Sequence, residues 1–414
     1  MRTLFLTLVA VSTLFSSCSN EQSNKDQNIQ AVNHISNSKD ISGKWLAKLR
    51  ISSTEFIPFV FEIDKGKICL INGEEKVEGG QIVHHETNSL IELPSFNSYL
   101  DVEKTSKGLK GKWVVRNKEG YYVDFDAIPY QGYRVFEKAN PTTSFDGLWD
   151  IRLNDNSKTH VVGKFQQTGD KVEGTFLTNT GDYRFLEGQV NADSMLISSF
   201  VGSHSFMIKA NIEGDSIFGQ FFSSKHYKVD FKGIKTQEIN MEDPYSLTYP
   251  VKDIDSLIVD LENIDGEVTP TNFSQYPGEV VLIQIMGSWC ANCYDEAMFF
   301  KQLHKEYHDR GLKIIGLSYE SSRSKKQAIN SLNKFIEHNA LPYDIKYAGP
   351  AGKNSTSERW HMLNKISSYP TSILLNKKGE IVQIHTGFNG PSTGELYTKY
   401  VNEMTDTIEK LLRE

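Results

Sequence analysis

The stretch GSWCANC, residues 287–293, determines how the C-terminal part of this chain is interpreted. It follows an apolar run at 280–286 and precedes a stretch whose apolar residues recur at helical spacing. A strand, a turn, a Cys-x-x-Cys and a helix in that order leave the first thiol, Cys290, at the helix N-terminus. The partial positive charge there favours thiolate over thiol. Cys293 lies one turn further along, so the spacing predicts a dithiol/disulfide redox pair.

Two cysteines at this spacing also occur in zinc sites. A structural zinc site takes four ligands, commonly two Cys-x-x-Cys pairs or one such pair with two histidines. The other cysteines, Cys18 and Cys69, stand alone far upstream. His304 and His308 lie about four to five helical turns beyond Cys290, roughly 20 Å along the helix axis. The sequence therefore favours redox chemistry and predicts no metal, nucleotide or flavin.

Two separated motifs together resemble a known family. The C-terminal part is similar to the TlpA/ResA-like thiol-disulfide oxidoreductases, which have the thioredoxin fold. The matching residues are VVLIQIMGSWCANC at 280–293, SYPT at 368–371 before the strand SILLN, the turn KKGE at 377–380, and IVQIHTGF at 381–388. The similarity covers about residues 248–414 and implies a thioredoxin-like domain over 250–414. It also implies that Pro370 is cis and lies against the Cys-x-x-Cys.

The positions of these residues suggest a role for each. Cys290, expected to be exposed at the helix start, is predicted to be the attacking nucleophile, and Cys293 to resolve the mixed disulfide with substrate. Trp289 is expected to shield the pair and to present an apolar edge to the substrate. The resemblance implies that Tyr369 and Pro370 supply backbone for an extended segment of substrate.

A further candidate concerns the proton that Cys293 loses when it attacks, because a nearby acid or base would assist that step. Thioredoxin has a buried carboxylate six residues before its first cysteine, where this chain has Gln284, which cannot titrate. The TlpA/ResA-like proteins instead have a glutamate three residues after the second cysteine, where this chain has Glu296. Cys293 and Glu296 are i and i+3 on one helix and hence neighbours on one face. The alternative is that Glu296 only interacts with the helix dipole, as Asp295 could.

The rest of the C-terminal part predicts an α/β domain in which helices cover a mixed sheet. Residues 312–319 (LKIIGLSY) suit a central parallel strand, and residues 324–338 carry a helical apolar stripe. Ser392 and Glu395 have the spacing of a capping box and predict the start of a final helix that extends through Leu412.

The N-terminus predicts export. Arg2 precedes an apolar stretch at 4–15, which is too short for a membrane span and fits a signal peptide over residues 1–18. Small residues before Cys18 resemble a bacterial lipobox, which implies lipidation of Cys18; simple secretion to the periplasm is the alternative. Residues 19–40 are rich in Asn, Gln, Ser and Lys and predict a flexible tether. The expected location is the periplasmic side of a bacterial membrane.

Residues 41–236 predict an all-β antiparallel module, because short alternating segments are separated by turn residues. A faint repeat divides the module into 41–138 and 144–236: Gly-x-Trp at 43–45 recurs at 147–149. Such a period predicts two repeated halves, either duplicated β-domains or two halves of one barrel. The polar segment 237–249 predicts a linker to the thioredoxin-like domain.

Length and charge fit this organisation. A chain of 414 residues favours two or three domains, and a net charge of −7 with a pI near 5.9 argues against nucleic acid as a partner. The predicted function is that of an extracytoplasmic, membrane-tethered thiol-disulfide oxidoreductase, expected to act as a disulfide reductase. Its expected partners are oxidised or disulfide-containing proteins, a membrane thiol that donates electrons, and the membrane itself through the lipid anchor.

Two alternatives remain. A peroxiredoxin-like peroxidase shares the thioredoxin fold, but it needs a Pro and a Thr or Ser just upstream of its reactive cysteine, and no proline is near Cys290. The other alternative is a ligand-binding lipoprotein with a vestigial redox domain. The intact Cys-x-x-Cys together with Pro370 argues against it, because a scaffold requires neither.

Overall fold

The computed structural model describes residues 40–252, 255–322 and 324–414. The predicted signal peptide, the lipidation site Cys18 and the predicted tether up to residue 39 lie outside these residues. Within the described part of the chain, no helix is long and apolar enough to cross a membrane.

The first part of the β-module is a closed barrel. Within residues 40–252, eight antiparallel strands follow one another around it and the last pairs with the first. Along the last strand Val123, Phe125 and Ala127 are buried and alternate with exposed residues, which is the period of two expected of a barrel wall. The strands are β1 (Gly43–Arg50), β2 (Phe56–Asp64), β3 (Lys67–Asn72), β4 (Glu75–His84), β5 (Ser89–Leu93), β6 (Ser98–Thr105), β7 (Gly108–Val115) and β8 (Tyr122–Pro129).

The second part of the β-module is a nine-stranded antiparallel sheet within the same described range. Its order is β10-β9-β17-β16-β15-β14-β13-β11-β12, and β10 also pairs with β11, which joins the two ends of the sheet into a second barrel. The strands are β9 (Gly147–Leu153), β10 (His160–Thr168), β11 (Lys171–Thr178), β12 (Gly181–Asp182), β13 (Leu186–Asn191), β14 (Ser194–Phe200), β15 (Ser205–Glu213), β16 (Ser216–Ser223) and β17 (Tyr227–Thr236).

The two barrels share local geometry at their first strands. The indole N–H of Trp45 donates to the carbonyl of Ile41 at 3.0 Å, and that of Trp149 donates to the carbonyl of Phe145 at 2.8 Å. Both tryptophans are buried, and each therefore anchors the chain as it enters its barrel. The antiparallel β-module is confirmed, while its origin as two repeated halves stays a prediction.

The predicted α/β architecture is confirmed for the C-terminal region. Among the described residues a five-stranded mixed sheet has the order β22-β21-β20-β23-β24, in which β20 and β21 are parallel and β20 and β23 antiparallel. The elements are β18 (Ile258–Glu262), β19 (Val268–Asn272), β20 (Val280–Met286), α1 (Ala291–Tyr307), β21 (Leu312–Glu320), α2 (Lys325–Asn339), β22 (Asp344–Pro350), α3 (Lys353–Arg359), β23 (Thr371–Leu375), β24 (Ile381–Thr386) and α4 (Glu395–Arg413); 3₁₀ turns lie at Pro94–Phe96, His308–Arg310 and Pro391–Thr393.

Strand β20 lies at the centre of this sheet and is buried along its whole length. Leu282 and Met286 face the core that includes Phe300 of α1, whereas Ile283 and Ile285 face a second core on the other side of the sheet. Burial on both faces explains why the sequence of β20 is almost continuously apolar. The strand therefore holds the residues that follow it, 287–293, at a fixed edge of the sheet.

One detail of the sequence interpretation differs from the structure. The final helix begins at Glu395 without a side-chain cap, so the predicted capping box at Ser392 is wrong; the Ser392 hydroxyl instead donates to Asp182 of the second barrel. The predicted linker 237–249 packs on the C-terminal region: the carbonyl of Pro244 accepts the N–H of Thr386 at 3.0 Å, and Thr248 is buried beside the same residue.

Candidate active site

The two cysteines lie at the start of helix α1, which follows strand β20, as predicted. Cys290 is the N-cap of α1: its backbone is extended, and its sulfur accepts the N–H of Cys293 at 3.2 Å. The sulfurs of Cys290 and Cys293 are bonded, with their Cα atoms 5.2 Å apart. Because the helix N-terminus directs its free N–H groups at Cys290, this sulfur is the one best placed to carry negative charge after reduction.

The expected exposure of Cys290 is wrong. Cys290 is 7% exposed and Cys293 is fully buried. The cover comes from two sides, since the carbonyl oxygen of Tyr369 lies 3.5 Å from the sulfur of Cys290 and the second barrel lines the other side of the same cleft. Cys290 is nevertheless the more exposed of the two cysteines, and its role as the nucleophile stays a prediction.

The loop before β23 places Tyr369 beside Cys290, and Pro370 follows Tyr369. The peptide bond between them is cis, as the resemblance implies. Trp289 lies edge-on to the ring of Tyr369, with ring centroids 5.6 Å apart, and its indole N–H donates to the carbonyl of Tyr319 at 3.0 Å. The Tyr369 hydroxyl is in turn 2.6 Å from that of Thr356. These contacts hold two aromatic rings beside the disulfide.

Glu296 is a fully buried carboxyl beneath the cysteines. The side-chain amide of Gln284 donates to one of its oxygens at 2.9 Å, and the hydroxyl of Tyr400 donates to the other at 3.3 Å. Burial raises the pKa of Glu296 to about 8, and the hydrogen bonds from Gln284, Tyr400 and Ser372 only partly oppose that rise. A carboxyl with such a pKa can take up or release a proton near neutral pH.

Gln284 connects this acid to the second cysteine. Its side-chain amide also donates to the carbonyl of Cys293 at 3.3 Å, and its oxygen accepts from Tyr343 at 3.3 Å. Gln284, whose side chain cannot titrate, therefore holds the titratable carboxyl of Glu296 in place.

Sequence reasoning missed the contribution of the second barrel to this site. Arg184, just beyond β12, donates to the carbonyl of Ala291 at 2.8 Å and to Asp295 at 2.6 Å, and it also pairs with Glu75 of the first barrel. Its side chain is 3% exposed. Burial alone would lower the pKa of Arg184, but the carboxylates of Asp295 and Glu75 reverse that effect and raise it, so the guanidinium stays charged. Because Arg184 lies 107 residues upstream of Ala291, no local pattern indicates this contact.

A second set of contacts fixes the same loop. Asn292, between the two cysteines, donates to the carbonyls of Asp182 and Phe388, each at 3.1 Å. Asp182 accepts the N–H of Gly390 at 2.7 Å, and Gly181 forms a β-bridge with Phe388. The dipeptide between the cysteines thus serves as a contact surface for the second barrel.

The remaining candidate ligands lie apart from the cysteines. His304 and His308 stack on each other with ring centroids 4.4 Å apart, towards the far end of α1. Cys69 is half-buried in β3, and burial raises the pKa of its thiol. Across residues 40–252, 255–322 and 324–414, no group of three or more His, Cys, Asp or Glu side chains could hold a metal ion.

Comparisons with known proteins agree with this site. The AhpC/TSA family matches the chain at residues 254–384. The thioredoxin-like protein YneN of Bacillus subtilis is 25% identical over 127 residues, which are 31% of this chain and 66% of that protein. The thiol-disulfide oxidoreductase ResA of Halalkalibacterium halodurans is 27% identical over 132 residues, 31% of this chain and 64% of its own length. The chain thus spans about two thirds of the length of these curated relatives.

Among solved structures, the crystal structure of StoA from Bacillus subtilis is 23% identical and covers 34% of this chain and 96% of that chain, with a TM-score of 0.24. The sequence relatives confirm the predicted resemblance of the C-terminal region to TlpA/ResA-like proteins. Together with the pair Cys290–Cys293, they support the class of thiol-disulfide oxidoreductases.

Proposed function

We propose that this chain is an extracytoplasmic thiol-disulfide oxidoreductase, tethered to a membrane through lipid on Cys18, which reduces disulfides in oxidised protein substrates. The observation that carries the proposal is the position of Cys290, whose sulfur caps α1 and accepts the N–H of Cys293. A helix N-terminus stabilises a thiolate, and the partner thiol one turn away can close an internal disulfide.

The reaction begins with both cysteines reduced. The Cys290 thiolate attacks one sulfur of the substrate disulfide; that bond breaks, and its electron pair leaves on the other substrate sulfur, which takes a proton from water. Cys293 then attacks the sulfur of Cys290. The bond to the substrate breaks, the second substrate thiol is released, and the two-electron oxidation remains in the Cys290–Cys293 disulfide. A membrane thiol donor returns two electrons for the next cycle.

Glu296 takes the proton of Cys293 in this proposal. Its buried carboxyl has a pKa of about 8 and connects to Cys293 through Gln284. Trp289 and Tyr369 line the cleft at Cys290, and together with Pro370 they contact the substrate segment in this proposal.

Cysteine variants test the proposal directly. Cys290→Ser should abolish reduction of a model disulfide, because the nucleophile is lost. Cys293→Ser should accumulate a mixed disulfide with the substrate, because resolution is lost; mass spectrometry of the non-reduced protein detects it. Faster alkylation of Cys293 than of Cys290 in the reduced protein would contradict the assignment.

The alternatives are separated by parallel assays. A peroxidase would consume hydrogen peroxide faster than it reduces disulfides, and a ligand-binding lipoprotein would do neither. Equilibration with glutathione gives the direction of electron flow: a potential near ~−270 mV fits a reductase and one near ~−120 mV an oxidant.

The lipid anchor is tested separately. Cys18→Ala should move the protein from the membrane fraction to the soluble fraction, because the lipidated residue is lost.

A further inference from the structure

The cleft above Cys290 has walls from two parts of the chain. It has a volume of about 200 Å³. On one side lie Trp289 and Tyr369 of the C-terminal region, and on the other lie Tyr183, His204 and Phe206 of the second barrel. Since Cys290 is 7% exposed, a substrate sulfur must enter this cleft to reach it.

The wall from the barrel is an aromatic stack. The rings of Tyr183 and Phe206 are 5.2 Å apart, and those of His204 and Phe206 are 5.4 Å apart, both in stacked orientation. Tyr183 also stacks on Phe221 of the barrel core at 5.0 Å. These rings are therefore backed by the barrel interior and form a rigid surface, with the two rings of Trp289 and Tyr369 opposite.

The barrel wall is fixed to the thioredoxin-like region. The β-bridge between Gly181 and Phe388 and the hydrogen bonds of Asn292 hold the loop that carries Tyr183. At Gly387 an added Cβ would come within 2.4 Å of the carbonyl oxygen of Thr180, so the two backbones are in direct contact. The barrel residues that line the cleft are therefore held in a fixed position relative to Cys290.

The two charged residues that line the cleft already have hydrogen-bond or ion-pair partners. Among its lining residues, Arg184 is paired with Asp295 and Glu75, and Asp182 accepts hydrogen bonds from Gly390 and Ser392. Burial lowers the pKa of His204 to about 4, so that its ring is neutral near pH 7. A charged group entering such a space would lose hydration without gaining a partner, which is costly. Aromatic faces instead favour apolar groups.

We propose that the second barrel is a specificity wall of this cleft, and that the cleft accepts an extended chain segment with uncharged, apolar residues beside its disulfide-bonded cysteine. This inference rests on the proposed oxidoreductase function. The volume supports it, because about 200 Å³ is below the ~300–1,000 Å³ of pockets for whole small-molecule ligands and suits a few side chains of a passing segment.

The test uses the full chain with dithiothreitol present as the electron donor that reduces the Cys290–Cys293 disulfide after each cycle, and the rate without protein is subtracted. The probes are linear seven-residue peptides with one central cysteine, blocked as its mixed disulfide with 2-mercaptoethanol, and with leucine, aspartate or lysine on both sides of the cysteine. Cys290 attacks the peptide sulfur, 2-mercaptoethanol leaves with the electron pair, and Cys293 then releases the peptide thiol. We expect kcat/KM to be about tenfold higher for the leucine peptide than for either charged peptide.

Variants assign that preference to the barrel. Tyr183→Ala should lower kcat/KM for the leucine peptide about fivefold to tenfold, mainly through KM, and leave the charged peptides unchanged. Phe218→Ala, which removes an exposed aromatic elsewhere on the same barrel, should behave as the natural protein. Tyr183→Phe keeps the ring and should restore the preference for the leucine peptide that Tyr183→Ala loses. Thr180→Lys adds a cation to the cleft and should raise kcat/KM for the aspartate peptide above that for the lysine peptide. This change of preference tests the specificity wall even if Tyr183→Ala fails to fold.

The outcomes separate the two proposals. If no probe is reduced, nor the disulfide of 2-mercaptoethanol itself, the proposed function is wrong. If all three peptides react equally, or if the preference survives in both Tyr183→Ala and Thr180→Lys, the proposed function stands and the specificity wall is refuted. If the rate of reduction rises equally for all three peptides in Tyr183→Ala, the barrel only covers the site, and the specificity wall is likewise refuted.

Discussion

Replacing Glu296 by Gln should change how the stability of the oxidised protein depends on pH. Glu296 is fully buried, and its pKa is raised from 4.5 to about 8. A carboxyl whose pKa is higher in the folded than in the unfolded state stabilises the fold fully below pH 4.5, and that contribution is lost as the pH rises through 8. At ~1.4 kcal/mol per pKa unit, the loss is about 3 kcal/mol by pH 7 and about 5 kcal/mol above pH 9.

Urea unfolding at pH 4.5, 7 and 9 measures this effect. The free energy of unfolding of Glu296→Gln, relative to that of the natural protein, should increase by several kcal/mol from the lowest to the highest pH, because glutamine has no proton to lose. Glu306→Gln is the matched control, since Glu306 is an exposed residue of the same helix, and its difference from the natural protein should stay constant. Parallel pH profiles for Glu296→Gln and the natural protein would refute the raised pKa.

The same variant tests the catalytic role separately. Resolution of the mixed disulfide should slow in Glu296→Gln and lose its pH dependence near neutrality, because Cys293 no longer has a proton acceptor. Asp295→Asn, which the sequence alone suggests as a control, is unsuitable because Asp295 is the buried partner of Arg184. If stability changes as expected while the pH–rate profile does not, Glu296 is a buried acid without a part in proton transfer.

Three further predictions follow from the contacts around the site. Arg184→Met should lower the free energy of unfolding by about 3–5 kcal/mol, because it leaves buried carboxylates unpaired. In glutathione equilibration the same variant should have a more negative redox potential, because the thiolate loses a nearby cation. Arg152→Met, at a half-exposed position of the same barrel, should change neither measurement. His385→Asn should flatten the loss of stability between pH 6.5 and 4 in acid unfolding, because burial lowers the pKa of His385 to about 4 and the unfolded chain takes up the proton first. A fragment of residues 248–414 should fold and retain redox activity, with faster alkylation of reduced Cys290 than in the whole chain; an insoluble or inactive fragment would make the barrels part of the catalytic unit.

The fold of the C-terminal region could be predicted because its signals are local. An unbroken apolar run at 280–286 fits a strand buried on both faces, and the Cys-x-x-Cys after it fixes where α1 begins. The placement of Glu296 beside Cys293 follows in the same way from a spacing of three residues on one helix. Local spacing is also why the β-module could be identified as antiparallel, since alternation of apolar and polar residues is typical of antiparallel sheets with one buried face.

The contacts between modules could not be predicted, because they join residues far apart in sequence. Ser392 illustrates the difference. Its spacing to Glu395 fits a capping box, but its hydroxyl has a stronger partner in Asp182, which comes from another part of the chain. The same reason explains why Cys290 was expected to be exposed: helix position predicts which sulfur faces outward, but only tertiary structure determines what covers it.

The chain of charges at the start of α1 joins all three parts of the described structure. Glu75 lies in the first barrel, Arg184 in the second, and Asp295 one turn into the helix that Cys290 caps. Buried charges are costly unless they are paired, so the two carboxylates stabilise the guanidinium in its buried position next to the cysteines. Glu75 is not among the residues that line the cleft, yet through its ion pair with Arg184 the first barrel contributes to the electrostatic environment of Cys290. We therefore expect a substitution at Glu75 to change the rate of disulfide exchange, although this residue lies outside the cleft.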